Sequence, residues 1–170
     1  MMNPFTKAKL AKASKLPYLG WVREQLSETN SAVRRWIEWD PDLDVYEAFY
    51  DARQVTIPIP VCDWSFLVCL HEIGHISTGD RRYSYLAEYN AETWAMRRAQ
   101  QRYAVWNDDY LLDSKAYVHH HLVQNILYSS LEVGKVKHHV LDWLGISAEQ
   151  VLEDARQYSI TEQDNNLILR

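Results

Sequence analysis

Apolar residues recur at three- and four-residue steps shortly before the middle of the chain, which predicts an α-helix there. The series is Trp64, Phe66, Leu67, Leu70 and Ile73. Steps of this size place side chains on one face of a helix. Asp63 is a candidate N-cap, because its carboxylate can accept a hydrogen bond from the first turn. We therefore expect a helix that begins near Asp63 and continues past Ile73.

Most of the remaining chain is also predicted to be helical. Helices are expected from Pro17 through Leu26, from Ser31 to Trp39 and from Asp108 to about Ser130. A helix, Leu-Gly-Ile-Ser and a second helix follow from His138, which indicates an αα-hairpin. The tail after Thr161 is expected to be a short strand or to be frayed.

One β-hairpin is predicted directly before the apolar helix. Residues 44–50 and 55–59 have strand-like composition, and the polar segment between them is expected to turn. Pro58 and Pro60 cannot donate a backbone N–H, which favours an edge position for the second strand. The predicted fold class is therefore α+β, mostly helical, with a small β-hairpin or sheet packed on the apolar helix.

The apolar helix contains His71-Glu72-Ile73-Gly74-His75, which fits the pattern H-E-x-x-H. Residues i and i+4 lie one turn apart on the same helical face. His71 and His75 can therefore offer two imidazole nitrogens to one tetrahedral Zn²⁺, with Glu72 beside them as a base. Because the pattern fixes only three positions, the alternative is a helix with two incidental histidines.

A second helical stretch contains candidates for the third zinc ligand. Glu88, Ala91, Glu92 and Ala95 share one helical face. The alanines, together with Gly74, would let the two helices approach closely. Glu88 could then complete the metal site, and Glu92 could accept a hydrogen bond from a ligand histidine. The alternatives are that both glutamates are solvated surface charges, or that Glu92 is itself the third ligand.

These two helices resemble a known family. HEIGH, followed after a short loop by Glu-x-x-Ala-x-x-aromatic-Ala, is similar to the gluzincin metallopeptidases and, within them, to the small ImmA/IrrE-type peptidases. The resemblance covers about Ala48 to Ala99. The zinc ligands that it implies are His71, His75 and Glu88. It also implies Glu72 as the general base and Glu92 as an acid that supports a ligand histidine.

The resemblance further implies how a protein or peptide substrate is held. Zincins place an edge strand above the active-site helix, where an extended peptide can pair with it. The candidate strand here is Gln54 to Ile59. A downstream His or Tyr stabilises the oxyanion in related enzymes, and the candidates are His119, His120, His121, Tyr83, Tyr85 and Tyr117. Three consecutive histidines point in three directions around a helix, so they cannot chelate one ion together.

Length and charge narrow the classes of protein. The 170 residues are expected to form one zincin-like domain, with a core of about 44–100 and a helical part of about 101–160. The net charge of −5 argues against a nucleic-acid partner. Cys62 and Cys69 are expected to be reduced, and no apolar stretch predicts a membrane span or a secretory signal. A cytoplasmic protein is therefore expected.

Three functions remain open at this point. The first is a zinc-dependent metallopeptidase that hydrolyses a peptide bond in a protein substrate. The second is a metal-bound interaction or regulatory module whose hydrolytic activity is weak or lost. The third is a DNA-associated regulator, although the acidic helix from Ala148 to Asp154 would repel phosphates. The sequence alone does not specify the substrate or the oligomeric state.

Overall fold

The described part of the protein contains seven α-helices, a short 3-10 turn and a three-stranded sheet. A computed structural model describes residues 4–29, 37–40, 47–49, 54–79 and 84–168. The helices are α1 (Pro4–Ala13), α2 (Pro17–Thr29), α3 (Asp63–Thr78), α4 (Tyr85–Tyr103), α5 (Asp108–Tyr128), α6 (His138–Leu144) and α7 (Ala148–Ile168), with a short 3-10 turn at Val133–Lys135. The strands are β1 (Ile37–Asp40), β2 (Glu47–Phe49) and β3 (Gln54–Pro58). The predicted α+β class, mostly helical, is confirmed.

The sheet differs from the predicted hairpin, because β3 is its central strand. The order is β1-β3-β2, with β1 parallel to β3 and β2 antiparallel to it. The prediction of an edge strand at Gln54 to Ile59 is therefore wrong. Pro58 is the last residue of β3 and Pro60 lies beyond it, so neither proline removes a hydrogen bond from the middle of the ladder.

The strand β1 occupies a segment for which a helix was predicted. The expected helix from Ser31 to Trp39 is wrong at its end, since Ile37–Asp40 pairs with β3 in the register Ile37 to Val55. Residues 31–36 lie outside the described part of the chain. The local sequence Ile-Glu-Trp-Asp alternates between apolar and polar residues, which suits a strand once a partner is present.

The N-cap of α3 lies one residue earlier in the chain than the sequence predicts. Cys62 is the N-cap and Asp63 is the first helical residue. The hydroxyl of Ser65 accepts a hydrogen bond from the backbone N–H of Cys62 at 3.1 Å. The side chain of Asp63 instead binds α2, because its Oδ1 accepts a 2.7 Å hydrogen bond from the hydroxyl of Tyr18. The N-terminus of α3 is thereby attached to α2.

The other helices follow the predictions except at the tail. The predicted helices from Pro17 and from Asp108 are present as α2 and α5, and α6 and α7 form the predicted αα-hairpin. The backbone N–H groups of Gly145 and Ile146 both reach the carbonyl oxygen of Leu141, which ends α6. The expectation of a strand or a frayed segment after Thr161 is wrong, because α7 continues to Ile168.

The chain divides into two compact units. The first comprises Met1–Arg82 and Asn90–Leu111, and the second comprises Tyr83–Tyr89 and Leu112–Arg170. The helices α4 and α5 are each continuous across a boundary between these ranges. The predicted single domain stays a prediction.

The core of the first unit is built on α3. Its fully buried large side chains come from α2, β3 and α3: Leu19, Val22, Leu26, Val55, Ile57, Phe66, Leu67, Leu70 and Ile73. Burial of one such side chain contributes about 1.5–3 kcal/mol. The thiol of Cys69 donates a 3.2 Å hydrogen bond to the carbonyl oxygen of Pro58, which joins α3 to β3. The sheet therefore packs on the H-E-x-x-H helix, as predicted.

The core of the second unit is formed by α5, α6 and α7 with the first turn of α4. Its buried members are Tyr85, Val118, Leu122, Val123, Val136, Val140, Leu141, Val151 and Ala155. Two hydrogen bonds fix Tyr85 within this unit: its N–H donates to Asn125 Oδ1, and its hydroxyl accepts from the N–H of Lys137. The first turn of α4 is thereby anchored.

The two cysteines differ in exposure. Cys62 is exposed, Cys69 is buried, and neither forms a disulfide. Among the helices in the described ranges, none combines the length and the apolar character that crossing a membrane requires.

Candidate metal centre

The helix α3 brings the imidazoles of His71 and His75 together. Their Nε2 atoms lie 3.0 Å apart, and their ring planes are nearly perpendicular. A tetrahedral ion with Zn–N bonds of about 2.0–2.1 Å holds two ligand nitrogens roughly 3.3 Å apart. The separation of the two Nε2 atoms is close to this value, so both nitrogens face a common point.

The helix α4 approaches α3 with its backbone at Gly74. A Cβ atom placed on residue 74 would lie 2.8 Å from the carbonyl oxygen of Ala91. Only glycine therefore allows this separation of the two helices. Ala91 and Ala95 are fully buried, so the predicted close packing of the alanine face is present.

The two glutamates of α4 are buried with these alanines. Glu88 is 3% exposed and Glu92 is 4% exposed. They are therefore not solvated surface charges, which was the alternative to a role in the site. Glu88 lies one turn before Glu92 on the same uninterrupted helix, so helix geometry places both carboxylates along the side that meets α3.

His71, His75 and Glu88 form a group with the composition of a catalytic zinc site. Each offers one ligand atom, and these atoms all lie within 4.8 Å of one another. Two imidazole nitrogens and one carboxylate oxygen are a known donor set for catalytic zinc, with a fourth position left for water or substrate. The donor chemistry of these three residues therefore fits zinc, and modest contraction of the group would bring the atoms to bonding distance.

Glu72 lies beside this group. Its Oε1 is 4.0 Å from Nε2 of His71, and its side chain is buried. With Glu88 and Glu92, it makes three carboxylates in one buried region. Burial of several acidic groups is costly unless positive charge or protons balance them, so the electrostatics of this region favour a bound cation.

Glu92 contacts the far side of His71. Its Oε1 lies 3.1 Å from Nδ1 of His71, the ring nitrogen that faces away from His75. A carboxylate at this nitrogen favours the tautomer with a proton on Nδ1 and a lone pair on Nε2, which is the form that binds a metal through Nε2. The separation of 3.1 Å places Glu92 beside His71, and the role of Glu92 in supporting a ligand histidine stays a prediction.

The buried thiol of Cys69 lies on α3, two residues before His71 in sequence. Burial raises the pKa of this thiol well above its usual range, and the negative charge of Glu72 raises it further. The thiol therefore stays protonated, in agreement with its hydrogen bond to the carbonyl oxygen of Pro58. Cys69 belongs to the packing of α3, and its Sγ is not among the converging ligand atoms of His71, His75 and Glu88.

The three consecutive histidines of α5 have three different environments. His119 Nε2 lies 3.1 Å from Asp154 Oδ2, in the second unit. The ring of His121 packs edge-on against Tyr117, and the ring of His120 contacts that of His121. These contacts are within the second unit and assign no oxyanion role, which stays a prediction for all three histidines and for Tyr117.

The other two oxyanion candidates also stay predictions. Tyr83 lies outside the described residues. The hydroxyl of Tyr85 accepts a hydrogen bond from the N–H of Lys137, so it takes part in the packing of the second unit.

Tyr110 is a residue of the site that sequence reasoning missed. Its hydroxyl donates a 3.0 Å hydrogen bond to Oε2 of Glu92. Tyr110 lies beyond the end of α4, so helical spacing from Glu92 cannot point to it. The local signal that was present is Asn107, a good N-cap residue whose Oδ1 accepts from the N–H of Tyr110 and fixes the start of α5.

Comparison with known proteins adds no family to these observations. No family model matches the chain, and no curated protein or solved structure matches it. The resemblance to gluzincins therefore rests on the H-E-x-x-H helix and on the Glu88 helix alone.

Proposed function

We propose that this protein is a zinc-dependent metallopeptidase of the gluzincin type that hydrolyses a peptide bond in a protein or peptide substrate. The observation that carries the proposal is the convergence of ligand atoms from His71, His75 and Glu88 within 4.8 Å. The position of Glu72, next to this group and buried, supports an enzyme over a purely structural metal site.

In this proposal the residues have separate tasks. His71, His75 and Glu88 hold the ion, and Glu92 keeps His71 oriented. A zinc ion held by these residues would polarise the scissile carbonyl and lower the pKa of a bound water. The carboxylate of Glu72 takes a proton from the attacking water and later delivers it to the leaving amine.

The sheet offers a place for an extended substrate. Within the described strands, β1 and β2 each pair with β3 on one side only, so each has an outer edge. The strand β2 contacts α3, the helix that bears both histidines. We propose the outer edge of β2 as the surface on which a peptide adds as a further strand, with backbone hydrogen bonds giving affinity.

Metal content tests the site first. Wild type, His75→Ala and Glu88→Ala are purified without a tag, incubated with Zn²⁺, dialysed and measured by mass spectrometry. About one zinc per chain is expected in wild type, and a loss is expected in both variants. His120→Ala, which removes an exposed histidine, is the matched control and should retain the ion. A wild-type protein that binds no zinc would contradict the proposed metal site and therefore the proposed function.

Hydrolysis is tested next with a peptide library and mass-spectrometric detection of new termini. Glu72→Gln should keep its zinc but lose activity by about 10²–10⁴-fold, because it removes the base and leaves the ligands in place. Undiminished activity in a clean preparation of Glu72→Gln would remove Glu72 from the role of base. If the wild-type protein binds zinc but hydrolyses no peptide, the result would contradict the proposal of an enzyme. It would favour a metal-bound interaction module.

A further inference from the structure

Three side chains form a continuous chain of contacts that leads from α5 to the candidate metal ligands. The hydroxyl of Tyr110 donates to Oε2 of Glu92 at 3.0 Å, and Oε1 of the same carboxylate lies 3.1 Å from Nδ1 of His71. All three residues are buried, with exposed fractions of 4%, 4% and 6%. Each carboxylate oxygen of Glu92 therefore has a different neighbour.

Tyr110 is itself held at its backbone and at its ring. The backbone N–H of Tyr110 donates a 2.8 Å hydrogen bond to Oδ1 of Asn107, which fixes the first turn of α5. The ring of Trp64, on α3, meets the ring of Tyr110 edge-on with a centroid separation of 6.3 Å. The hydroxyl is consequently presented to Glu92 from a side chain with little freedom to move.

We propose that Tyr110 is a positioning residue that sets the zinc affinity of the site through Glu92 and His71. The terminal torsion angle of a glutamate side chain has a broad distribution. If Glu92 had a partner at only one of its oxygens, its carboxylate could rotate and move Oε1 away from His71. The hydroxyl of Tyr110 restricts that rotation and keeps Oε1 against His71. This inference rests on the proposed metal site and adds to it a residue that would act through Glu92 and His71.

The variant Tyr110→Phe tests this role, because it removes the hydroxyl and leaves the buried ring in place. Zinc dissociation constants are measured by competition with a chromophoric chelator, on protein shown by circular dichroism to be folded. Tyr110→Phe is expected to bind zinc about tenfold more weakly, the lower end of the range for partners of ligand histidines.

Tyr103→Phe is the matched control. The hydroxyl of Tyr103 also donates to a glutamate, Glu24 Oε2, at 2.9 Å, and it also lies in the first unit. The same hydroxyl accepts a 2.7 Å hydrogen bond from Nε2 of Gln25, so its removal costs at least as much hydrogen bonding as the removal of the Tyr110 hydroxyl. Tyr103→Phe should bind zinc as wild type does. An equal loss in both variants would assign the effect to general stability and overturn the inference.

A double-mutant cycle and a spectroscopic measurement separate positioning from packing. In a Glu92→Ala background, Tyr110→Phe should change the zinc affinity by less than about twofold, because the intermediate carboxylate is gone. In metal-free wild type, nitrogen NMR of labelled histidine should report His71 with its proton on Nδ1, and Tyr110→Phe should lower that fraction. Equal effects of Tyr110→Phe in both backgrounds would overturn the inference.

The failure of this inference is distinct from that of the proposed function. Zinc binding by wild type and Tyr110→Phe with equal affinity would overturn the role of Tyr110 alone. No zinc binding by wild type would overturn both.

Discussion

Gly74 and Ala91 bring α3 and α4 into backbone contact, since a Cβ at position 74 would lie 2.8 Å from the carbonyl oxygen of Ala91. Gly74 stands between His71 and His75 in sequence, and Ala91 stands between Glu88 and Glu92. The spacing of the two helices at this point therefore sets the distance between the histidines and the glutamates.

Gly74→Ala is expected to destabilise the protein and to weaken zinc binding. The added methyl group forces the helices apart, and overpacking of this kind costs about 1–3 kcal/mol. Urea unfolding and zinc titration measure the two effects. Gly20→Ala is the control, because Gly20 lies in α2 and a methyl group added there would meet nothing within 4 Å. The Gly20→Ala variant should be more stable than wild type by about 0.5–1 kcal/mol. A similar gain for Gly74→Ala would contradict the close contact between α3 and α4.

Glu88 and Glu92 are expected to differ in their effect on zinc. Glu88→Ala removes a ligand and should leave no stoichiometric zinc after dialysis. Glu92→Ala removes only the partner of His71 and should retain zinc with an affinity about 10–100-fold lower. Chelator competition on the two purified variants measures the difference. The reverse ranking would make Glu92 the third ligand and Glu88 the supporting carboxylate.

Stability is expected to fall at alkaline pH in part because of Tyr103. Burial and its hydrogen bond to Glu24 raise the pKa of Tyr103 to about 12, whereas an unfolded tyrosine titrates near pH 10. Between these values the folded state binds more protons than the unfolded state, so the free energy of unfolding decreases as pH rises. The contribution is fully present below about pH 10.

Urea unfolding of wild type and Tyr103→Phe at neutral pH and near pH 11 measures this contribution. The variant should lose less stability between the two conditions, because it lacks the hydroxyl. Part of the decline should remain in the variant, since the hydrogen bond to Asp63 raises the pKa of Tyr18 to about 12 as well. Identical declines in the two proteins would contradict the role of Tyr103.

The two cysteines are expected to react at different rates with iodoacetamide. Cys62 is exposed at the start of α3, whereas Cys69 is fully buried and donates to Pro58. Peptide mapping of the folded protein should therefore find the label on Cys62, and labelling in strong denaturant should reach both residues. Equal labelling under native conditions would show that α3 opens on the timescale of the reaction.

The site was more predictable than the sheet because its geometry is mostly local. His71 and His75 are one turn apart on one helix, and Glu88 and Glu92 are one turn apart on the next, so helical spacing predicted how each pair would lie. Small residues, Gly74 and Ala91, then indicated that the two helices could meet. Spacing and residue size thus indicated which side chains could meet, whereas the choice of Glu88 over Glu92 as the third ligand came from the resemblance and stays a prediction.

The features that the sequence did not predict depend on residues far apart in the chain. The segment Ile37–Asp40 becomes a strand only because β3 is available beside it, and the prolines near the end of β3 wrongly suggested an edge. Tyr110 and Glu92 are hydrogen-bonded but lie on two helices that a turn separates, so no periodic sequence pattern connects the two residues. Pairing and packing of this kind override local propensity.

The central position of β3 also bears on how the protein folds. Since β1 and β2 each pair with β3 and not with each other, neither has a described strand partner until β3 has joined them. The segment from Gln54 to Thr78, which contains β3 and α3, therefore brings together the sheet and the helix of the two histidines. We therefore expect substitutions of Val55 or Ile57 to slow folding more than they accelerate unfolding, which stopped-flow measurement of the refolding and unfolding rates would test.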